Sequence, residues 1–542
     1  MRKPTILRYI LVISYYFYLN KIFAQCPVGG SQTSMQQNNV HSFYTTEGIF
    51  WQNPSNLLAG YFIPKGSGLS TIFSGAIWIG GYDYNGSIHF SGDMWIGSGN
   101  DYYPGPLDSN ATTSYSMCQD FDRFYGVSKS EIDIFLNNGI ISSNILNWPG
   151  KNNPYILYLP HNQDLAPFVD LNNDEIYNPY DGDYPLVKGD TAIWWILNDR
   201  GGMHTATQSY GFGAELHILA YSFLTNDDIN DMTFYDVEIF NKSTFSYNNT
   251  YVGIYMDTDI GGYLDDYVGC DTLFSVGYGY NGDSFDEDNV ALGYGLNPPL
   301  QAVTMIKKPT INSQEYSMSS FISFHNSNND TMGNPVVTNH FYNYISGRWK
   351  DGSQMVYGGN GHYSTGGTIP YSFQYSGNPA DSTEWSECSE GNYPGDRKFV
   401  MSFGDFDFAS MSKISMSFAL VYHRPTSGSN CVGVSGLMSS VQNAHNFYNV
   451  ISVRNNYPKK RLNFSIYPNP SSGTLSINVG RNRFDNLNIE LYDLQGNLIF
   501  IDYKNNQDII KINVSSFPNG SYLLRLVSDK GEVGIDKILI VN

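Results

Sequence analysis

Aspartate is the residue type through which this chain could do chemistry, and in two places its spacing suits a metal ion. The first is Asp170-Leu-Asn172-Asn-Asp174-Glu-Ile176-Tyr-Asn178-Pro-Tyr-Asp181. Oxygen-bearing side chains fall at the first, third, fifth, ninth and twelfth places of a twelve-residue loop. Ile176 falls at the seventh, where a backbone carbonyl can serve. That spacing wraps one chain segment around one calcium ion. Glu175 departs from the pattern, because it takes the sixth place, where the sharp turn usually demands glycine. The competing reading is an Asn/Asp-rich turn that holds no ion.

The second place is Asp257-Thr-Asp259-Ile-Gly261-Gly262, followed by Asp265-Asp266-Tyr-Val-Gly269-Cys270-Asp271. Residues 251–256 read as a strand, so Asp257 and Asp259 leave its end on one face. Gly261 and Gly262 let the chain turn back, and Asp265, Asp266 and Asp271 follow within one loop. So many carboxylates would repel and raise one another's pKa unless a cation joined them. A second calcium site is the expectation, and a solvated acidic loop is the alternative. A carboxylate pair for glycoside hydrolysis is a third reading, which turns on a separation no sequence displays. The first loop also resembles the calcium loops of dockerins and other extracellular repeats, which often end in Asp.

Other catalytic templates fail. His204 and His217 lack zinc-type spacing and read as ordinary polar or core histidines. No Gly-x-Ser-x-Gly elbow stands between a strand and a helix. Gly277-Tyr-Gly279-Tyr-Asn-Gly282 lies among aromatics and aspartates rather than before a helix, so it is a loop and not a phosphate cradle.

The elements that must position these loops are mostly strands. Residues 72–79 and 88–95 bracket Asn85-Gly86, a strong short hairpin signal. Ile193-Trp-Trp-Ile-Leu197 is a continuous apolar run of the buried-strand kind. Residues 233–240 and 414–422 alternate apolar and polar. Two helices are expected. Ser128 with Glu131 has capping-box spacing, and Gly139 would stop that helix. Leu437, Val441, Ala444 and Tyr448 recur at helical spacing over about 435–450.

Composition bounds the rest. The formal charge is −20, yet residues 463–542 hold 7 Lys/Arg against 8 Asp/Glu, so the acidity sits in the body. An acidic body argues against nucleic-acid or anionic-membrane partners. The 43 Tyr and 53 Gly suit an extracellular β protein, in which tyrosine packs a pleated surface and keeps a polar tip. Most Trp and Tyr read as core, although exposed ones could stack on sugars. Cys26, Cys118, Cys270, Cys388 and Cys431 have no metal-type spacing, and an odd number leaves at least one unpaired.

The two ends read as transport signals. Arg2, Lys3 and Arg8 precede an apolar stretch from Tyr9 to Leu19, and Phe23-Ala-Gln25 supplies a cleavage region, so 1–25 is expected to be a signal peptide. No stretch approaches the roughly 20 apolar residues of a membrane span. At the other end stand Phe464-Ser-Ile-Tyr-Pro-Asn-Pro470, Gly473-Thr-Leu475, Ile489-Glu-Leu-Tyr-Asp-Leu-Gln-Gly496, Phe517-Pro-Asn-Gly-Ser-Tyr-Leu-Leu-Arg-Leu526 and Lys537-Ile-Leu-Ile540. Their prolines, turns and alternation read as a small β-sandwich. Their order and spacing closely resemble the type A C-terminal sorting domain of the type IX secretion system of Gram-negative bacteria. The resemblance implies an Ig-like module, contact with the type IX machinery, and export to the cell surface or the medium. The body also looks similar to large secreted proteins that carry this domain and have no established activity. Ile77-Trp-Ile-Gly-Gly81, Asp170-Leu-Asn-Asn-Asp174 and Asp265-Asp-Tyr-Val-Gly-Cys-Asp271 carry that likeness.

The expected architecture is all-β. A sandwich-type body spans 26–455, with room for two subdomains dividing near 220. A basic linker follows at 456–462, and the sorting domain occupies 463–542. Two functions compete. One is a non-catalytic, calcium-stabilised binding or adhesion protein whose partner is an extracellular glycan or another cell. The other is an extracellular hydrolase acting on polysaccharide or protein. Absence of recognisable catalytic geometry favours the first.

Overall fold

A computed structural model describes residues 26–541, apart from 290, 428–429, 455–459, 463, 481–485, 494–497, 505–506 and 530–531. The expected signal peptide, 1–25, and most of the expected linker lie outside the described residues. The chain divides into two compact units. One takes in residues up to Gly126 together with Gly189–Val441, and the other takes in Val127–Lys188 together with Gln442 onward. Ala220, near the expected internal boundary, lies inside a strand of the first unit.

The first unit is built on two antiparallel sheets, as the all-β reading expects. Its principal strands are β1 (Ser74–Tyr82), β2 (Ile88–Ser91), β3 (Thr191–Asn198), β4 (Ala214–Ser222), β5 (Thr233–Asn241), β6 (Tyr247–Thr258), β7 (Asp266–Asp271), β8 (Val276–Asn281), β9 (Leu300–Ile311), β10 (Met318–Phe324), β11 (Arg397–Phe408) and β12 (Lys413–His423). The larger sheet runs β3-β4-β5-β12-β9-β8-β7, and the smaller runs β10-β11-β6-β1-β2. Sequence patterning explains both. The apolar run of β3 is buried from Ala192 to Asn198, while β5 alternates buried and half-buried residues from Tyr235 onward. The hairpin β1–β2 turns at Gly86, whose φ of +80° suits a residue without a Cβ.

One core joins Trp195, Ile218 and Val237 of the larger sheet to Ile77, Ile254 and Met401 of the smaller. Tyrosine packs it with its hydroxyl satisfied. Tyr235 Oη accepts from Trp51 Nε1 at 2.8 Å and meets Tyr44 Oη at 3.0 Å and Thr233 Oγ1 at 3.1 Å. The other face of the smaller sheet, with Trp78 and Tyr255, is covered by α2 (Thr338–Ile345), which follows α1 (Lys129–Asn138) of the second unit in chain order. Disulfides link Cys26 to Cys118 and Cys388 to Cys431, and Cys270 is free and buried.

In the second unit, α1 begins with the expected capping box of Ser128 and Glu131 and stops at Gly139, which adopts the left-handed conformation. The second expected helix, α3, spans Val434–Arg454 and crosses from one unit into the other. The C-terminal segment pairs Ser465–Tyr467, Thr474–Asn478 and Ile509–Asn513 in one sheet. Leu487–Tyr492, Leu498–Lys504, Gly520–Ser528 and Glu532–Ile540 join a second. Leu475, Ile477, Ile489, Leu524 and Ile538 from the two sheets share one core. Among the described residues, no helix is long and apolar enough to cross a membrane.

Candidate cation sites

The Asp170 loop hangs from a minimal hairpin. Phe168–Val169 pairs with Tyr184–Pro185, so Asp170 and Asp183 stand on either side of the loop's base. Asp170, Asp174 and Asp183 bring carboxylate oxygens within 4.8 Å of one another. Backbone donors hold each group in place. Asn173 N and Glu175 N reach Asp170 at 2.7 and 3.0 Å, and Ile176 N reaches Asp174 at 2.8 Å. Leu171 N and Asn178 N reach the buried Asp183, each at 2.9 Å. Burial, with Asp170 and Asp174 adding, holds the Asp183 carboxyl above the usual carboxylate range.

The structure therefore closes the loop with the fourteenth residue. Asp181 ends a short turn that Asn178 caps, and Asn178 Nδ2 donates to Asp181 Oδ2 at 2.6 Å. Asn172 Nδ2 donates to Asp174 Oδ2 at 2.9 Å, and Ile176 is exposed. Glu175 does adopt the left-handed backbone, with φ +62°, and its carboxylate pairs with Lys151 at 2.9 Å. Sequence reasoning missed Asp183. The residue pairing at the loop's base was the only signal for it.

The second set of aspartates does not gather as one group. Asp257, on β6, sits opposite Lys398 of β11 and Ser74 of β1. Lys398 Nζ lies 3.3 Å from Asp257 Oδ2 and 2.7 Å from Asp396 Oδ1. Asp257, Asp259 and Asp396 have carboxylate oxygens within 4.8 Å of one another. Burial pushes Asp257 up to about 6 against the pull of Lys398, while burial and then Asp257 and Asp396 raise Asp259 further.

Asp265, Asp266 and Asp271 are not members of that trio, although the charge of Asp259 reaches Asp266. Asp266 opens β7, and its Oδ2 accepts Ile260 N at 3.0 Å. Asp265 accepts from Asn281 Nδ2 at 2.9 Å. Asp271 closes β7 at its far end, where it accepts Phe274 N at 2.9 Å in the turn to β8. A strand of this length spans roughly 17 Å from first residue to last, so Asp271 cannot share an ion with Asp266. The expected single acidic loop is in fact a loop followed by a strand. Asp286, also missed, ties the turn by accepting Gly262 N at 2.8 Å and Tyr294 N at 2.6 Å.

His204 and His217 are buried, as expected of core histidines. His217 Nε2 meets Glu215 Oε1 at 2.9 Å. A pocket of about 260 Å³ is lined in part by His325, Trp349, Asn360, Tyr393, Glu387 and Arg397. Its one buried acid, Glu387, is fully engaged. It accepts Val268 N at 3.0 Å, Arg397 Nε and Nη2 at 3.2 Å each, and Asn392 Nδ2 at 3.2 Å.

Residues 465–541 match the family model of the secretion system C-terminal sorting domain. This segment is the type IX sorting tail, and the chain that carries it is a secreted or cell-surface protein. No curated protein matches the chain. Among solved structures, a polysaccharide lyase shares 8% identity at a TM-score of 0.17, over 60% of this chain and 34% of that one. Dimeric latent PorU from Porphyromonas gingivalis shares 11% identity at a TM-score of 0.13, over 65% and 31%. The chain spans about a third of the length of each. Neither match carries an argument about this chain. The likeness of the body to large secreted proteins bearing this tail has no counterpart among these matches.

Proposed function

We propose that residues 1–25 send the chain into the periplasm and that residues 463–542 pass it to the type IX machinery. Outside the cell the body acts as a non-catalytic, calcium-stabilised module that binds extracellular glycan or another cell. The convergence of Asp170, Asp174 and Asp183 within 4.8 Å carries the calcium reading. Oxygen ligands of this kind suit a hard cation, and extracellular calcium is abundant enough to fill modest sites. The carboxylates of the second cluster support a non-catalytic body, since Asp257 and Asp259 are 2% and 7% exposed and lie out of reach of a polymer.

The experiment pairs two changes. Removing residues 463–542 should leave the body in the periplasm, and normal release of the truncated protein would overturn the route. Calcium should raise the melting temperature of the exported protein, and Asp170→Ala with Asp174→Ala should remove most of that increment. Binding to the folded form alone contributes about 2.7 kcal/mol at a hundredfold excess over Kd. An unchanged melting temperature on chelation would refute calcium. Turnover of a polysaccharide or protein by the purified chain would replace the binding reading with the hydrolase.

A further inference from the structure

We propose that Asp257, Asp259 and Asp396 form a divalent-cation site in the body, closed by Asp396 from the residue immediately before β11 and balanced by Lys398. It deepens the calcium reading, but it rests on its own residues and stands or falls separately from the Asp170 loop.

Elsewhere this protein holds its buried carboxylates with several hydrogen-bond donors. Asp199 is 1% exposed, and four donors hold it: Ser91 Oγ at 2.8 Å, Phe212 N at 2.6 Å, Gly213 N at 2.9 Å and Ala214 N at 2.7 Å. Asp101 is fully buried and accepts Ala206 N at 3.2 Å and Thr207 Oγ1 at 2.5 Å. Burying a carboxylate without such donors is costly, so the fold normally supplies them. Asp257 departs from this pattern. It is 2% exposed, and its Oδ1 has no hydrogen-bond partner. Its neighbour Asp259 is 7% exposed, and the charges that reach it are those of Asp257, Asp396 and Lys398. An unpartnered buried oxygen beside two further carboxylates is what a cation would satisfy.

Charge gives the valence. Three ionised carboxylates and the Lys398 ammonium sum to −2, which one divalent cation neutralises. Lys398 pins Asp257 and Asp396 at 3.3 and 2.7 Å, so two of the ligands are placed before any ion arrives. An all-oxygen donor set excludes the softer metals. Three carboxylates supplied by the protein favour calcium over magnesium, which keeps several of its waters. The competing occupant is a proton, which would leave Asp259 a neutral acid.

The test uses the full exported chain, with calcium and terbium as probes. Tyr255 Oη lies 3.4 Å from Asp257 Oδ2, and its ring stacks on Trp78 at 5.2 Å, so an ion here should draw sensitised terbium emission that calcium quenches by displacement. Equilibrium dialysis should find that Asp259→Asn and, just before β11, Asp396→Asn each lose one calcium equivalent while circular dichroism stays unchanged. Asp170→Ala with Asp174→Ala should lose a different equivalent and keep the calcium-displaceable terbium emission. If that double variant binds no calcium at all, the Asp257 site does not exist. If it keeps every equivalent, the Asp170 reading fails and this one survives. Undiminished calcium binding in Asp259→Asn would assign the cluster to a proton and overturn the proposal without needing a folded Asp396 variant.

Discussion

Raising the pH should weaken the body through one buried histidine. His204 Nδ1 lies 2.9 Å from the Phe90 carbonyl, and Nε2 lies 2.9 Å from the Asp199 carbonyl. Carbonyl oxygens only accept, so both ring nitrogens must donate, and only the imidazolium has two N–H groups. Asp101 Oδ2 sits 3.3 Å from Nδ1 and supplies the counter-charge. Burial by itself would lower this pKa, but Asp101 and then Asp199 outweigh it and push it up to about 9. The nearby Asp93 is raised well above the carboxylate range, by burial first and then by Asp101. A folded value of about 9 against an unfolded 6.5 corresponds to about 3 kcal/mol. Because the folded pKa is the higher, that stability is complete below the unfolded pKa and is lost as the pH rises through about 9. Denaturant midpoints measured from just below the unfolded pKa to just above the folded one should fall for the parent and stay nearly flat for His204→Gln. The variant should start lower by about the same 3 kcal/mol. Selective ring labelling among the ten histidines would read the state directly. A neutral His204 ring at neutral pH, or equal pH slopes in parent and variant, would refute the reasoning.

Two further outcomes follow from the same packing. Tyr235→Phe removes the hydroxyl that Trp51 Nε1, Tyr44 and Thr233 share and leaves a buried indole N–H unpaired. It should cost about 1–3 kcal/mol in chemical denaturation, and a neutral effect would mean the network adds nothing. Replacing Cys388 and Cys431 by serine opens a link across 43 residues. Chain entropy sets that loss near about 4 kcal/mol, and an unchanged denaturation midpoint would show that the link does not restrain the unfolded chain.

Local chemistry in this sequence reads correctly, and long-range closure does not. Ser128, Glu131 and Gly139 announce α1 because a helix end is decided by residues within one turn of it. Asn85-Gly86 announces a hairpin for the same reason, and the proline and turn spacing of the tail announces its module. The Asp170 loop is half legible. Its early carboxylates follow a local spacing, but its closing one depends on Val169 pairing with Tyr184, which admits two more residues than a twelve-residue loop allows. The Asp257 cluster is less legible still. Asp265, Asp266 and Asp271 look like neighbours of Asp257 because they are near in sequence. Strand geometry then carries Asp271 to the far end of β7. Asp396 and Lys398 reach Asp257 only because β6 and β11 pair in one register, with Asp257 opposite Lys398. A slip of one residue would turn Lys398 to the other face of the sheet and leave the three acids without their internal cation. Charge matching cannot find that register in advance, since 30 Lys/Arg and 50 Asp/Glu offer far too many partners. The apolar alternation that buries Phe399, Met401 and Phe403 against the core chooses it, and the cluster's chemistry follows from that choice of packing.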